Sequence, residues 1–316
     1  MVINMIISAS RRTDIPSYYA KWFLERIRAG YVYVRNPMNA HQVSRVSLSP
    51  DVVDGIVFWT KNPLPMLDKL DALHDYMYYF QFTLTSYGAD VERNVPSKSK
   101  VIIPAFQRLA DRIGRDRVIW RYDPIFLSGT YTMEYHIRYF EELAKRLSPY
   151  TRKCTISFLD FYRNTGKNMA PLALRDFSAL QQAQLAKSIA GIAHSYGLQV
   201  DTCAEGLDLQ RYGVGHAQCI DGRLFGQLLQ CPLQISKDKN QRPACGCMES
   251  LDIGAYNTCL HGCRYCYANH AGAKTLEANH GKHRPGSPLL MGELGPGDRV
   301  VEREMHTCRE AQLRLE

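Results

Sequence analysis

The sequence predicts an α/β chain built as a TIM-like (β/α) barrel, complete or partial, with a C-terminal cysteine-rich extension that binds a cluster. Three observations predict it. Short strand-like runs alternate with helical patterns as far as Glu205, and repeated βα units imply a parallel sheet with helices outside it. About seven such strands in succession favour a closed or nearly closed sheet over an open one. From Gly206 the alternation gives way to a pattern rich in cysteine, glycine and proline. The division expected is a barrel over residues 1–210 and a cysteine-rich cluster-binding segment, packed on it, over residues 211–316.

The elements follow in order. Met5–Ser10 is the first strand, and the helix Ser17–Arg28 opens just after Pro16 and stops at Gly30. Tyr31–Arg35 is the second strand, and the alternating run Val43–Leu48 adds a hairpin at a rim. Gly55–Lys61 leads through Asn62-Pro63 into a helix over Leu64–Asp75. Tyr78–Thr85 precedes the helix Ser97–Ile113, which stops at Gly114, and Arg117–Tyr122 precedes Met133–Leu147, which stops before Pro149. Cys154–Leu159 precedes Leu172–Tyr196, which stops at Gly197, and Leu198–Glu205 is the seventh strand. Proline near a helix start and glycine at its end are the punctuation helices use.

Alternate residues of a strand point to opposite sides. One face carries Ile6, Ser8, Ser10 and Arg12, then Tyr79, Gln81, Thr83 and Thr85, then Ile119, Arg121 and Asp123, then Gln199, Asp201, Cys203 and Glu205. Barrel interiors are normally filled with branched apolar side chains, and buried polar groups are expensive unless paired. A polar inward face therefore points to a wet interior that holds a polar ligand. The strand ends gather Arg11, Arg12 and Asp14, Arg35 and Asn36, Lys61 and Asn62, Arg121 and Asp123, Asp160 and Glu205. The C-terminal rim of barrel strands is the usual binding and catalytic position. Helix capping is the competing reading for Asp14 and Asn62, which sit where helix N-termini need an oxygen acceptor.

Hydrophobic content of 45% and charged content of 22% are ordinary for a globular protein. The start MVINMIISASRRTD has too short an apolar run for a secretory h-region, and no stretch reaches spanning length. A cytoplasmic protein with no membrane partner is expected, its ten cysteines reduced or bound to metal. The formal charge of +8 is scattered, with no Lys/Arg run of the kind nucleic-acid arms use.

Beyond the seventh strand come the linker-like Gly213–Gly215, then His216, Cys219 and Asp221, Cys231-Pro232, and the pair Cys245-Gly-Cys247. Cys259, Cys263 and Cys266 then form a C-x3-C-x2-C run with Tyr265 before the last thiol. After Tyr267 mostly irregular structure is expected, and His261, His270, His280 and His283 read as solvated side chains rather than ligands. Three thiolates on one loop hold three irons of a [4Fe–4S] cubane and leave the fourth open to a substrate or cosubstrate. Zinc on Cys245, Cys247, Cys263 and Cys266 is the competing reading. If Cys245 or Cys247 instead ligates the fourth iron, the cluster is structural or electron-transferring.

The loop resembles the radical S-adenosylmethionine signature. The stretches Ser8-Ala-Ser-Arg-Arg-Thr-Asp14, Phe58-Trp-Thr-Lys-Asn-Pro63, Trp120-Arg-Tyr-Asp-Pro124 and Cys245-Gly-Cys247 through Tyr267-Ala-Asn269 resemble an uncharacterised prokaryotic family, domain of unknown function 1848. Members of that family are labelled as similar to spore photoproduct lyase, a radical enzyme that reverses a thymine lesion. In ordinary radical S-adenosylmethionine enzymes the cysteine loop follows the first barrel strand, whereas here it comes after seven. Two arrangements fit: a permuted barrel with Leu251–Tyr256 as the missing strand, or an extension folded over the barrel mouth. Both bring the cluster to the polar rim.

The resemblance implies S-adenosylmethionine on the open iron, Tyr265 against its adenine, and an external electron donor of flavodoxin or ferredoxin type. Asn62 joins Tyr265 in binding S-adenosylmethionine. Arg12, Lys61 and Arg121 then face an anionic substrate, nucleotide, DNA or small metabolite, with Asp14 beside them and Asp123 or Glu205 orienting a ribose or donor group. Cys203, if inward-facing, is a hydrogen-atom donor or a structural thiol. The other function class is a zinc- or iron–sulfur-stabilised nucleic-acid-binding protein without radical chemistry.

Overall fold

The computed structural model describes residues 3–161 and 165–309. Its centre is an eight-stranded parallel sheet. In chain order the strands are β1 (Ile6–Ala9), β2 (Gly55–Thr60), β3 (Tyr78–Thr83), β4 (Val118–Ile125), β5 (Lys153–Phe158), β6 (Gln199–Thr202), β7 (Val214–His216) and β8 (Leu251–Asp252). Spatially they run β7-β6-β5-β4-β3-β2-β1-β8, so the chain lays down neighbours in succession until its last strand returns to the far edge. There Leu251 and Asp252 pair in parallel with Ile7 and Ser8. Beyond the opposite edge, Met248 donates its backbone N–H to Ile220 O at 3.0 Å. Two of the eight strands thus come from beyond residue 210.

The two faces of the sheet differ as the alternation of residues requires. Ile7, Phe58, Phe80, Trp120 and Ile156 turn outward into one large apolar core with Trp22, Phe23, Phe106, Phe140 and Ile189. Helices pack there because their apolar stripes match that face. Ala20–Ala29 buries Trp22, Phe23 and Leu24, Ile103–Ile113 buries Phe106 and Leu109, and Met133–Leu147 buries Phe140 and Leu147. The inner face starts apolar, with Ile6, Val57, Tyr79 and Ile119 closed over by Cys219, Ile220 and Phe225. Gly55 has to be glycine at this plug, since a Cβ there would lie 2.2 Å from the Phe225 ring. Further along each strand the inner face turns polar, with Ser8, Gln81, Arg121, Thr155 and Asp201 all buried.

Several expected elements are corrected. Tyr31–Asn36 is a strand, but it pairs antiparallel with Asn39–Ser47 in a separate sheet. The short connection through Pro37-Met38 permits only a hairpin, because a parallel partner needs a crossover of about a dozen residues. Arg35 and Asn36 therefore leave the rim, and Arg35 is held by both oxygens of Asp298 at 2.7 and 2.8 Å. The first helix divides at Tyr19 into Ile15–Tyr18 and Ala20–Ala29. The last starts at Ala179 rather than Leu172, because Ser178 and Gln181 form a reciprocal capping box. After Tyr267 the chain is more ordered than its composition suggests: Ala273–Gly281 is helical, and Arg299–Glu302 adds a third strand beside Asn39–Ser47. No helix of the described residues is long and apolar enough to cross a membrane.

Candidate metal centre

The cysteine loop leaves the sheet at the C-terminal end of β8, and Asp252 fixes that exit. One carboxylate oxygen accepts from Ser8 Oγ at 2.8 Å and from the Arg11 N–H at 2.7 Å. The other accepts from Ser10 Oγ at 2.6 Å and from the Gly254 N–H at 3.0 Å. The end of β1 and the start of the cysteine loop are thereby clamped to one side chain. Gly254 packs so closely that a Cβ would lie 2.1 Å from Ser10 Oγ. Arg12 stands beside the clamp, with Nε 3.8 Å from Asp252 Oδ1 and its guanidinium 5.2 Å from the Tyr256 ring centroid.

From Leu260 the loop lies along the segment that follows β3. Asn94 donates to Leu260 O at 2.7 Å and to His261 O at 2.9 Å, and Arg264 donates its N–H to Val91 O at 2.9 Å. Glu92 and Cys263 form an antiparallel bridge. Gly262 turns the chain at φ 67°, a left-handed conformation that suits glycine. Cys259, Cys263 and Cys266 share one half-buried neighbourhood. Their sulfurs accept backbone N–H bonds: Cys259 from His261, and Cys266 from Ala268 and Asn269.

Burial raises all three thiols, Cys263 to about 12, while Lys61 pulls Cys263 and Cys266 the other way. A bound metal inverts such a preference, because a coordinating thiol is deprotonated outright. Among the described residues, no three His, Cys, Asp or Glu side chains surround a point that suits a single ion. A cubane asks for something different, since it spreads its thiolates over separate corners of a cluster.

Asp14 joins three pieces of the rim. Its Oδ1 caps the helix Ile15–Tyr18 by accepting from the Ser17 N–H at 2.9 Å, while Oδ2 accepts from the Lys61 N–H at 2.7 Å and faces His261 Nε2 at 2.7 Å. Capping and site assembly are both realised in this one carboxylate. Asn62 acts locally, its Oδ1 accepting from the Leu64 N–H at 3.3 Å. His261 corrects the expectation of a solvated side chain. It is 3% exposed and also lies 3.1 Å from the Tyr18 hydroxyl.

Beside Cys263 sits a buried charge network centred on Glu92. One oxygen takes Lys61 Nζ at 2.6 Å, Thr85 Oγ1 at 2.9 Å and the Tyr265 hydroxyl, and the other takes Lys98 Nζ. Burial alone would raise the carboxyl, but Lys61 and then Lys98 hold it below the ordinary carboxylate range. Lys61 also stands 5.4 Å from the Tyr265 ring centroid. Tyr265 thus directs its side chain into this network.

The opposite part of the inner face carries Arg121 and Asp123 as a pair. Arg121 Nη1 reaches Gln81 Oε1 at 3.3 Å and Cys219 Sγ at 2.9 Å, and Asp123 Oδ1 accepts from Ser157 Oγ at 2.8 Å. Glu205 accepts from the Phe158 N–H at 2.7 Å, and burial lifts its carboxyl to about 7. Each expected substrate-facing cation has a carboxylate partner: Asp252 for Arg12, Glu92 for Lys61 and Asp123 for Arg121. Cys247 adjoins Cys219, and Cys245 adjoins Cys247.

Glu92, Lys98 and Asp252 escaped the sequence reading, and Cys219 was noted there without a role. Glu92 lies in a connection with no periodicity, and Lys98 opens the helical stretch expected over Ser97–Ile113. Asp252 had a usable signal, since it ends the short strand just before the cysteines. No curated protein matches the chain. Residues 6–268 match a family described as Domain of unknown function (DUF1848), a span that runs from β1 through the last loop cysteine, and the chain belongs to that family.

Proposed function

We propose that the protein is a radical S-adenosylmethionine-type enzyme whose Cys259, Cys263 and Cys266 hold a [4Fe–4S] cluster. The observation that carries this reading is the parallel pairing of Leu251–Asp252 with Ile7–Ser8. It makes the cysteine loop the connection that leaves the C-terminal end of a sheet strand, as the permuted arrangement requires. On this reading the sheet is a partial (β/α) barrel and β8 stands in the place of a first strand. The donor set fits: three thiols of one loop, no fourth from the same run, and backbone N–H groups on two of the sulfurs. Hydrogen bonds to cluster sulfurs are among the factors that set reduction potential.

Held by Cys259, Cys263 and Cys266, such a cluster would supply one electron, received from an external donor, for the reductive cleavage of S-adenosylmethionine that starts radical chemistry on a substrate. The chain's own residues do the rest. Asp252 and Asp14 hold the loop against the rim, and Lys61 offers positive charge beside Cys263. The Arg121–Asp123 pair supplies donors and an acceptor for a polar or anionic substrate, a nucleotide among the candidates. Glu205, with a carboxyl near neutrality, is suited to give or take a proton at that end of the inner face.

The test is anaerobic reconstitution with iron and sulfide, followed by dithionite and S-adenosylmethionine. Deoxyadenosine and methionine are expected in equal amounts from the native chain and not from Cys263→Ala. If the reconstituted protein yields no deoxyadenosine, the radical mechanism is removed.

A further inference from the structure

Four other thiols meet at the inner face. Cys203 directly follows β6 and Cys219 follows β7, so two adjacent parallel strands deliver them side by side, and Cys219 Sγ lies 3.3 Å from Cys203 Sγ. Cys219 also hydrogen-bonds the Cys247 thiol, and Cys247 hydrogen-bonds Cys245. The contact order is therefore Cys203, Cys219, Cys247, Cys245, drawn from three separate segments. Cys219, Cys245 and Cys247 are buried.

The surroundings are built to hold these segments together. Tyr79 Oη and Gln81 Nε2 both donate to Cys219 O at 2.8 Å, fixing the loop after β7. Between Cys245 and Cys247 the chain packs closely, since a Cβ on Gly246 would lie 3.1 Å from Ala217 O and 3.2 Å from Gln218 Cγ. Two cations flank the thiols. Arg121 Nη1 lies 2.9 Å from Cys219 Sγ. Arg11 lies near Cys247 and Cys219, and its buried Nη2 has no hydrogen-bond partner. Both guanidiniums sit 5.3 Å from the Trp59 ring centroid.

We propose that Cys203, Cys219, Cys245 and Cys247 form a second, four-thiolate metal centre, independent of the Cys259–Cys266 loop. Sulfur-only coordination by four cysteines selects zinc or an iron–sulfur cluster. Either centre carries a net charge of about −2 on four thiolates; Arg11 and Arg121 flank it, Arg121 sharing its charge with Asp123. Assembly releases one proton from each thiol; with zinc no oxidation state changes, and a [4Fe–4S] core forms without net redox when ferrous and ferric iron are supplied in equal amounts. Among the described residues these sulfurs do not yet surround a point that suits an ion, so closure needs side-chain rotation between staggered wells. The inference stands without the radical reading, because it uses none of the loop cysteines.

Metal analysis of the full chain tests it. The protein is purified anaerobically and reconstituted in separate arms with iron plus sulfide and with zinc. Cys259→Ala/Cys263→Ala/Cys266→Ala should keep about one zinc, or about four irons with matching sulfide, per chain. Adding Cys219→Ser and Cys247→Ser should remove that metal. The native chain offers a second route that needs no variant: it should hold the loop cluster and this centre together, and removing metal should open four further thiols to alkylation. A folded triple variant that takes up neither iron nor zinc in either arm overturns the proposal. So does a native chain whose Cys203, Cys219, Cys245 and Cys247 alkylate fully while its metal stays bound.

Discussion

His261 Nε2 lies 2.7 Å from Asp14 Oδ2. A carboxylate accepts, so the ring donates from Nε2, and its Nδ1 lies 3.1 Å from the Tyr18 hydroxyl. The contact joins the cysteine loop to the first turn of the first helix across 247 positions of sequence. With the Asp252 clamp at the loop's other end, it means that the three loop thiols are placed by carboxylates rather than by apolar packing alone.

Replacing Asp14 by alanine removes a helix cap, worth about 1 kcal/mol, and leaves the buried His261 ring without its acceptor, a further loss of about 1–3 kcal/mol. Asp14→Asn keeps the cap through its one acceptor oxygen but loses the acceptor facing Lys61 N–H and His261 Nε2, and should lose less than the alanine variant. Urea unfolding measures the stability, and iron content after anaerobic reconstitution should fall in the same order. An unchanged urea midpoint for the alanine variant would show that Asp14 holds nothing together.

Glu92 is the one acid between Lys61 and Lys98 in its network. Glu92→Ala strands two buried ammonium groups and should destabilise by about 3–5 kcal/mol. Adding Lys61→Met and Lys98→Met should recover most of that, since removing all the charges removes the penalty. The folded carboxyl lies below its ordinary value, so this stability is present above the unfolded value of about 4.3 and fades as pH falls through the folded value. Acid unfolding curves of the native and triply substituted chains check both the size and the sign.

Glu205 should behave in the opposite sense. Its folded carboxyl sits at about 7, above the unfolded value of about 4.3. Between those two values the folded state holds more protons than the unfolded state, so stability falls as pH rises through that window. Glu205→Gln keeps an acceptor for the Phe158 N–H and should flatten that slope. Thermal melts at a series of pH values from 4 to about 8 read it out. Equal slopes in the two chains would refute the assignment.

At Gly254 a methyl group has nowhere to go, with Ser10 Oγ at 2.1 Å and Ser10 Cβ at 2.6 Å from the added Cβ. Gly254→Ala should therefore cost about 1–3 kcal/mol and lower cluster content by displacing the loop from the β1 rim. Ser10→Ala in the same chain relieves the closer of the two clashes and should restore part of both. Iron and sulfide assays with denaturation curves decide it.

The alternating periods of apolar residues made most of the sheet legible. Met133–Leu147 is helical over the residues expected, and six of the seven expected strand runs lie in the parallel sheet. The hairpin was legible as a hairpin, yet Tyr31–Asn36 was placed in the wrong sheet because its own residues do not name its partner. Likewise the polar character of Arg121, Asp123 and Glu205 could be read, but not which carboxylate neutralises which cation.

Strand order in the chain, inward and outward faces, and three thiols on one short loop were determined by the amino-acid sequence alone, since each depends on residues a few positions apart. The pairing of Leu251–Asp252 with Ile7–Ser8, the link from His261 to Asp14, and the meeting of Cys203 and Cys219 with Cys245-Gly-Cys247 were decided only by the tertiary structure. These contacts join distant segments through single hydrogen bonds or sulfur contacts. Such contacts leave no periodic trace in a sequence, because their partners are set by how the helices and strands pack around one core.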